Sequence, residues 1–483
     1  MIPDKYRHIG TNPTNQYGLD HSEKEGLNLN IFVPLSALQD GAKPIPVMTY
    51  IYGGGNHARN LVQHSVQLGQ PILIVQPNYR LAAFGFLASK ELQEDMDEYV
   101  RNSPCPVPLY NQSVGNWGLQ DQKLAFEWVR ENISALGGDN KNVTAFGQSV
   151  GAISLHYHIV LPSYYGLFDR AILQSGAIGT MSTGTVTQVG QPIFDRLIEI
   201  LGIPPALSGP DKVKRLREIP IDELTRASDE AGPRFGYRPF HDGGKILPFN
   251  IPVESWTERP TSYDPGLKAV LIGANKDEGY SLDADFGECN LKTWSRLINS
   301  FVPSPELVPL YEAAYGVPRT DEDVRRIMTE HLGDIVFHYP IERAVDALVQ
   351  VKKREEKERV IRSHWRETLK DHPLSGSMHG GELLYVFNPP MNEQIFTNKE
   401  LAAALEVEKR WITFAYQQPL ISNTGKGSSA DKDEAIVLTR DYNVEVGKGR
   451  LLSEKVVSLW SAALEHRLRE IQESLDASIP REE

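Results

Sequence analysis

The stretch NVTAFGQSVGAIS, residues 142–154, decides the fold prediction. Its first residues form an apolar run typical of a buried strand, and a G-x-S-x-G pattern follows over residues 147–151. A strand that turns at once into a helix places Ser149 at a sharp corner, with its hydroxyl exposed above the sheet. Gly147 and Gly151 let strand and helix approach closely, and the helix N-terminus directs free N–H groups at the corner. The pattern therefore predicts a nucleophilic serine at this position.

Other apolar runs of strand length surround this stretch along the chain. They are PVMTYIYG (46–53), PILIVQPNYR (71–80), RAILQSG (170–176) and KAVLIGAN (268–275). Such continuous runs are typical of strands buried on both faces of a parallel sheet. Residues 118–134 repeat apolar side chains at i, i+4, as Leu124/Trp128 and Ala125/Val129/Ile133, which predicts a helix covering the sheet. We therefore expect an α/β fold with a mostly parallel sheet flanked by helices.

The chain shows no internal repeat and no linker-like tract, so we expect one domain over residues 1–483. Helical insertions after about residue 180 are expected to cover the site. The closing residues carry an apolar stripe that predicts a helix packed on the core. Its members are Val456, Trp460, Ala463, Leu464, Leu468, Ile471 and Leu475.

Composition excludes several classes of function. The net charge is −13, which disfavours nucleic acid and anionic membranes as main partners. No run approaches the ~20 apolar residues of a membrane span, and the first ten residues lack the apolar core of a signal peptide. The two cysteines, Cys105 and Cys289, favour a reducing compartment over a disulfide scaffold, so we expect a cytoplasmic protein. No His/Cys cluster has metal-ligand spacing, and no cofactor is expected.

A glycine-rich segment directly follows the predicted strand VMTYIY. Residues 52–56 read YGGGN, and consecutive glycines allow successive backbone N–H groups to point inward. Such a loop upstream of G-x-S-x-G completes an oxyanion hole, the set of donors that stabilises negative charge on a reacting carbonyl oxygen. We expect the N–H groups of Gly54, Gly55 and Val150 to form it.

These motifs resemble those of the type-B carboxylesterases, the α/β-hydrolases that include cholinesterases and large fungal lipases. The resemblance extends in order along most of the chain. Its segments are EGLNLNIFVP (25–34), YIYGGG (50–55), NYRLAAFGFL (78–87), NWGLQDQKLAFEWVRENI (116–133), GGDNKNVTAFGQSVG (137–151), AILQSG (171–176), GANKDEG (273–279), MHGGELLYVF (378–387) and RWITFA (410–415). It implies an α/β-hydrolase fold and hydrolysis of a small carboxylic ester through an acyl-enzyme.

The resemblance also implies the remaining members of a catalytic triad. The acid of the family lies in a segment like NKDEG, here Glu278, and its base in a segment like HGxE, here His379. The order Ser149, Glu278, His379 is that of α/β-hydrolases. From the residues alone, Glu278 follows a predicted strand at its carboxyl end and His379 lies in a loop rich in Gly and Ser.

Rival residues exist for both roles. Asp277 could replace Glu278 as the acid, although its position favours a turn or cap. His372 is the main competitor of His379. His156 and His158 follow the nucleophile on its predicted helix, where packing or surface roles are expected. Cys105 and Cys289 show no signature of a catalytic thiol.

Departures from the family pattern narrow the range of expected substrates. Gln148 stands where the family often has glutamate, Val150 where it has alanine, and Asn56 where an aromatic often follows the glycines. Gly26 replaces a cysteine of the family's early disulfide. The tryptophan that cholinesterases use against quaternary ammonium groups has no counterpart in TNPTNQYGLD (11–20). We therefore expect neutral esters rather than choline esters.

Two alternatives stay open. The triad could act on a biosynthetic thioester or lactone, or pass the acyl group to an alcohol rather than to water. The chain could also be a non-catalytic binding protein with the same fold, although such proteins commonly lose a triad residue. The substrate-pocket walls would come from residues 180–260 and 280–340, whose geometry the sequence does not determine.

Overall fold

The computed structural model describes most of the chain, in two compact units. The described residues are 26–53, 58–180, 183–232, 236–247, 263–281, 287–355, 360–365, 377–389, 392–418, 420, 434–439 and 441–478. The first unit comprises residues 1–172 and 181–268, and the second comprises residues 173–180 and 269–483. The single domain expected over residues 1–483 stays a prediction.

The first unit contains a mostly parallel set of strands. They are β1 (Leu29–Phe32), β2 (Ile45–Ile51), β3 (Leu73–Pro77) and β4 (Gly138–Gln148). β2 lies between β3 and β4 and is parallel to both, whereas β1 pairs with β3 in the antiparallel sense. All residues of β2 and β3 are buried, as expected of strands covered on both faces. β5 (Arg170–Gln174) crosses the boundary between the units.

Helices flank these strands, and two short strands complete the unit. The helices are α1 (Arg59–Gln67), α2 (Ala82–Phe86), α3 (Lys90–Asn102), α4 (Trp117–Asn132), α5 (Val150–Val160), α6 (Gln191–Ile200), α7 (Gly209–Glu218) and α8 (Ile221–Ala231). The short strands β6 (Gly184–Thr185) and β7 (Phe240–His241) pair in parallel. The helices beyond residue 190 pack around Phe194 and Leu197, two side chains with no exposed surface.

Helix α4 corrects one detail of the sequence prediction. Ala125, Val129 and Ile133 are buried as expected, but Leu124 is 59% exposed and Trp128 is 37% exposed. Both sets recur at i, i+4, so the period alone could not identify which of two adjoining faces meets the sheet. The buried face also carries Leu119 and Phe126, neither of which has exposed surface.

The second unit has its own mostly parallel strands. They are β8 (Ala269–Asn275), β9 (Val360–Trp365), β10 (Glu434–Leu438) and β11 (Val444–Lys448). β8 pairs in parallel with β9 and β9 with β10, while β11 is antiparallel to β10. The expectation of a mostly parallel sheet is therefore confirmed.

The helices of the second unit include an irregular turn. They are α9 (Trp294–Phe301), α10 (Val308–Tyr315), α11 (Asp321–Gly333), α12 (Tyr339–Glu355), α13 (Leu383–Val386), α14 (Asn392–Ile395), α15 (Asn398–Ala415) and α16 (Glu454–Ser478). A π-helical turn, Asp334–His338, joins α11 to α12. α16 buries Val456, Trp460 and Ala463 against α9 and α10, as the predicted closing helix requires. Leu464 is partly exposed, and the side chains of Leu468, Ile471 and Leu475 lie outside the described part.

Candidate active site

Ser149 makes the whole turn between a strand and a helix. β4 ends at Gln148 and α5 begins at Val150, so one residue reverses the chain direction. Its dihedral angles are φ 56° and ψ −122°, a region that costs a non-glycine residue roughly 1–3 kcal/mol. The serine side chain makes no capping hydrogen bond to the helix. Strain is thus stored at a serine whose hydroxyl is not used to stabilise the local backbone.

The two glycines of the motif are required by close packing. A Cβ atom on Gly151 would clash with the carbonyl oxygen of Ile51, at the end of β2. A Cβ on Gly147 would lie 2.7 Å from the carbonyl carbon of Gly151 and 2.8 Å from the same oxygen of Ile51. The strand and the helix therefore approach as closely as the sequence pattern predicts, and the end of β2 meets them at the same point.

The start of the glycine-rich loop lies beside the serine. A Cβ on Gly53 would clash with the carbonyl oxygen of Gln148 and lie 2.9 Å from the Cβ of Ser149 and 3.1 Å from the nitrogen of Val150. Val150 is the first residue of α5, and the first N–H groups of a helix have no partner within it. Gly54 and Gly55, the other expected oxyanion donors, and Asn56 lie outside the described residues.

His379 and Glu278 form a close pair in the second unit. Nδ1 of His379 lies 2.6 Å from Oε2 of Glu278, whose side chain is completely buried. The other carboxylate oxygen accepts a hydrogen bond from the N–H of Asn275 at 2.8 Å. An ionised carboxylate only accepts, so opposite ionised Glu278 a neutral imidazole carries its proton on Nδ1 and its lone pair on Nε2. This tautomer is the one that a general base facing a serine hydroxyl requires.

Neighbouring residues hold this pair in place. The ring of Phe337 packs against the imidazole of His379, with centroids 4.5 Å apart. Asp277, the rival acid, is bound to the His379 loop instead: its N–H donates to the Ser377 carbonyl at 2.9 Å, and its Oδ2 accepts from the Ser377 N–H at 3.1 Å. These contacts favour Glu278 as the partner of the imidazole.

The other histidines weighed from the sequence have different environments. His156 and His158 are buried on α5, and burial lowers the pKa of each to about 3. His158 is also bound through Nε2 to Oε1 of Gln122 at 2.8 Å. Both are packing residues, one of the two roles that the sequence allowed. His372 lies outside the described residues.

A second buried carboxyl group, Glu382, was not identified from the sequence. It accepts a hydrogen bond from Nδ2 of Asn275 at 2.6 Å, and Nε2 of Gln174 lies 3.4 Å from its other oxygen. Burial, and then the charge of Glu278, raise the pKa of Glu382 to about 7. Its position three residues after His379 was the only sequence signal available.

The predicted residues thus come together in two groups. Ser149 and Val150 are adjacent in the first unit, and Glu278 and His379 are hydrogen-bonded in the second. A strained serine at a helix N-terminus is suited to nucleophilic attack, and a carboxylate-paired imidazole is suited to moving a proton. Each group is suited to one part of the chemistry of acyl transfer.

Comparison with known proteins identifies the family. A family model described as "Carboxylesterase family" matches residues 6–430. The chain belongs to the carboxylesterase family. The para-nitrobenzyl esterase of Bacillus subtilis (strain 168) is 28% identical over 436 residues, which cover 85% of this chain and 78% of that protein. The pyrethroid hydrolase Ces2e of Rattus norvegicus is 26% identical over 473 residues, which cover 93% of this chain and 76% of that protein.

A solved structure of a PNB esterase has the same fold as this carboxylesterase-family chain. The TM-score is 0.66 at 24% identity, covering 90% of this chain and 85% of the other. This likeness confirms the predicted α/β-hydrolase fold. The family membership and the names of the relatives confirm the prediction of a carboxylic ester hydrolase.

Exposed cysteines, metal-binding groups and membrane-spanning helices are the remaining features of the described part of the chain that bear on partners. Cys105 is exposed and Cys289 is partly exposed. Within the described ranges, no group of three or more His, Cys, Asp or Glu side chains could hold a metal ion. No helix among the described residues is long and apolar enough to cross a membrane.

Proposed function

We propose that this carboxylesterase-family protein hydrolyses neutral carboxylic esters through an acyl-enzyme formed on Ser149. His379 is the general base and Glu278 orients it. The observation that carries the proposal is the 2.6 Å contact between Nδ1 of His379 and the buried Glu278 carboxylate. This contact leaves the Nε2 lone pair of His379 as the site for a proton.

The proposed reaction has two steps, acylation and then deacylation of Ser149. The Ser149 oxygen attacks the ester carbonyl while its proton moves to Nε2 of His379, and the imidazolium then protonates the departing alcohol. Water attacks the acyl-enzyme in the same way and releases the acid and free serine. In both halves the N–H groups of Gly54, Gly55 and Val150 hold the carbonyl oxygen as it becomes negative.

A serine-to-alanine substitution tests the role of the nucleophile. Ser149→Ala is expected to reduce turnover of a nitrophenyl ester by several orders of magnitude, because the acyl-enzyme cannot form. Ser163→Ala, at an exposed serine, is the matched control. A fluorophosphonate probe should label the parent protein and the control but not Ser149→Ala. Unchanged turnover in Ser149→Ala would refute the proposal, and a parent protein that the probe cannot label would favour a non-catalytic scaffold.

The expected preference for neutral esters rests on local charge. Gln148 is buried beside the proposed nucleophile and contributes an amide where a carboxylate would attract a cation by up to a few kcal/mol. The net charge of −13 acts in the opposite direction, but salt screens it beyond about 8–10 Å. We expect a larger kcat/KM for a neutral butyrate ester than for butyrylcholine, at low and at physiological salt. Preference for the choline ester at both would contradict this substrate class.

The names of the relatives suggest the first substrates to test. One relative is named a para-nitrobenzyl esterase and another a pyrethroid hydrolase. A panel of para-nitrobenzyl esters of increasing acyl length would define the acyl preference, and adding a primary alcohol would separate acyl transfer from hydrolysis. We also propose a cytoplasmic location, which the presence of only two cysteines among 483 residues supports. Fractionation of cells that produce the protein would test it.

A further inference from the structure

His338 joins the π-helical turn to the strand that precedes Glu278. Nδ1 of His338 lies 2.8 Å from Oδ1 of Asp334, and Nε2 lies 2.7 Å from the carbonyl oxygen of Asn275. The imidazole is buried, with 7% of its side chain exposed. A buried histidine with a defined partner on each nitrogen is held in one orientation.

The partners of His338 determine its protonation state. A carbonyl oxygen only accepts, so Nε2 must donate to Asn275. Trp460 donates to the hydroxyl of Tyr315 at 2.9 Å, and that hydroxyl in turn donates to Oδ2 of Asp334 at 3.0 Å. The other oxygen of Asp334 pairs with Nδ1 of His338 at 2.8 Å, and the raised pKa of His338 favours the form in which both ring nitrogens donate.

The electrostatic surroundings agree with this assignment. Burial lowers the pKa of His338, but the hydrogen bond and charge of Asp334, the Asn275 carbonyl and the charge of Glu278 together raise it above its usual value. Among the described residues, Asp334 on the same turn and Glu278 just after the neighbouring strand are the two carboxylates whose charges raise the pKa of this imidazole. Both charges favour its protonated form.

Asn275 passes the constraint to the proposed catalytic acid. Its carbonyl is held by His338, its N–H donates to Oε1 of Glu278 at 2.8 Å, and its side-chain amide donates to Glu382 at 2.6 Å. The π-helical turn also brings Phe337, the residue before His338, against His379. Insertions of this kind into α-helices occur frequently at functional sites. Two consecutive residues of one turn therefore support the His379–Glu278 pair, Phe337 by packing against His379 and His338 through Asn275.

We propose that His338 is a positioning residue, whose Nε2–H holds the Asn275 carbonyl and so keeps Glu278 aimed at His379. The inference rests on the proposed esterase function and adds a residue that touches neither substrate nor the reacting atoms. Displacement of a catalytic group by about 1 Å can cost on the order of 100-fold in rate. Loss of this one donor should therefore reduce turnover without changing substrate contacts.

Two amide substitutions separate the two nitrogens of His338. In His338→Gln the amide nitrogen can occupy the place of Nε2 and keep the bond to Asn275, but Asp334 loses its partner. In His338→Asn the amide can occupy the place of Nδ1 and keep Asp334 paired, but the Asn275 carbonyl is lost. We expect His338→Asn to lower kcat by about 10- to 100-fold with KM little changed, and His338→Gln to stay within a few-fold of the parent.

The unfolding temperatures of the two variants should follow the opposite order. His338→Gln leaves the buried Asp334 carboxyl group without its imidazole partner, so it should be the less stable of the two. His338→Asn should also move the acid limb of the kcat/KM profile to lower pH, because a displaced Glu278 stabilises protonated His379 less well. All rates are divided by the number of sites that the fluorophosphonate probe titrates, which removes any unfolded fraction.

Specific outcomes would overturn the positioning role. Equal activity loss in both variants, or activity that falls in the same order as stability, would reduce His338 to a structural residue. Parent-like kcat and an unmoved acid limb in His338→Asn would eliminate the role altogether. Failure of the proposed esterase function looks different, because the parent protein itself would then neither react with the probe nor turn over esters.

Discussion

Asp277 and Ser377 bind each other through their backbones and one side chain. The Asp277 N–H donates to the Ser377 carbonyl at 2.9 Å, and the Asp277 carboxylate accepts from the Ser377 N–H at 3.1 Å. One residue further along the first segment, Glu278 is buried and lies within hydrogen-bond distance of His379. Two adjacent acids therefore have different tasks: one holds the loop, and the other faces the imidazole.

Substituting each of these two acids separately tests whether they have these different roles. Glu278→Gln should lower kcat/KM by roughly 10³–10⁴-fold, since an amide no longer stabilises the protonated imidazole or enforces its tautomer. Asp277→Ala should remain within about tenfold of the parent in kcat/KM per titrated site, while losing roughly 1 kcal/mol of stability with its hydrogen bond. Steady-state kinetics and thermal unfolding measure both. A larger activity loss in Asp277→Ala than in Glu278→Gln would reverse the assignment.

Gly53 is expected to tolerate no side chain. A methyl group there would press against the Gln148 carbonyl and the Cβ of Ser149, so the loop or the serine corner must move. We predict that Gly53→Ala lowers kcat/KM by at least about 100-fold per folded molecule, because nucleophile and oxyanion donors lose their alignment.

An exposed glycine provides the control for this substitution. Gly69 has φ +68°, and a methyl group on its Cα would have no neighbouring atom within 4 Å. Gly69→Ala therefore meets only the backbone cost of about 1 kcal/mol. Its activity per titrated site should equal that of the parent. Circular dichroism establishes the folded fraction of each variant, and equal activity of the two alanine variants would contradict the predicted crowding at Gly53.

His331 should make the protein sensitive to acid. It is completely buried among Phe301, Tyr311, Tyr315 and Trp460, and neither ring nitrogen has a hydrogen-bond partner within the described part of the chain. Burial lowers the pKa of His331 to about 3. The folded state therefore keeps the ring neutral while the unfolded chain takes up a proton below about pH 6.5, so stability is lost as pH falls from 6.5 towards 3.

Replacement of this histidine by leucine should remove the part of the acid-induced loss of stability that His331 causes. His331→Leu also removes two unsatisfied nitrogens, which is expected to stabilise the protein by about 1 kcal/mol at neutral pH. The advantage should grow by up to about 1.4 kcal/mol for each pH unit below 6.5. Urea unfolding at pH 7.5, 6 and 5 measures it, and a constant difference across that range would contradict the linkage.

The sequence was sufficient for the features that depend on neighbours along the chain. The corner at Ser149 follows from an apolar strand, two glycines and a helix pattern within a few residues of one another. Glu278 and His379 came from the family resemblance, and the pair is indeed hydrogen-bonded. The buried face of α4 was misjudged at Leu124 and Trp128, because a helical period does not identify which of two apolar stripes contacts the sheet.

Residues whose roles depend on contacts with distant segments of the chain left no comparable pattern in the sequence. His338 reaches the Asn275 carbonyl across a helix and a loop, and Glu382 meets Asn275 from a different segment. A histidine on a helix is ordinary in sequence, and Glu382 appeared there only as the last residue of the HGxE segment that indicated His379. Only the fold shows that both are buried against the same asparagine, and that this asparagine also binds Glu278.

Glu382 should lower the stability of the folded protein as pH rises. Burial and the nearby charge of Glu278 raise the pKa of Glu382 from about 4.5 to about 7. Between these values the unfolded chain releases the proton while the folded chain retains it, so stability falls with increasing pH across that window and levels off above pH 7. The direction is opposite to that of His331.

Glu382→Gln keeps the shape of the side chain and removes its titration. The free energy of unfolding of this variant, relative to the parent, should rise between pH 4.5 and pH 7 by about 1–3 kcal/mol in total and then stay constant.

The variant also lacks the negative charge that the parent carries near His379 above pH 7. That charge favours the protonated imidazole, so the acid limb of kcat/KM should lie at lower pH in Glu382→Gln than in the parent. Urea unfolding and pH–rate profiles test the two effects separately. A stability difference that does not vary from pH 4.5 to pH 8 would mean that Glu382 is ionised in the folded protein across that range. The acid limb of kcat/KM would still shift in that case, because the parent would carry the charge at each of these pH values.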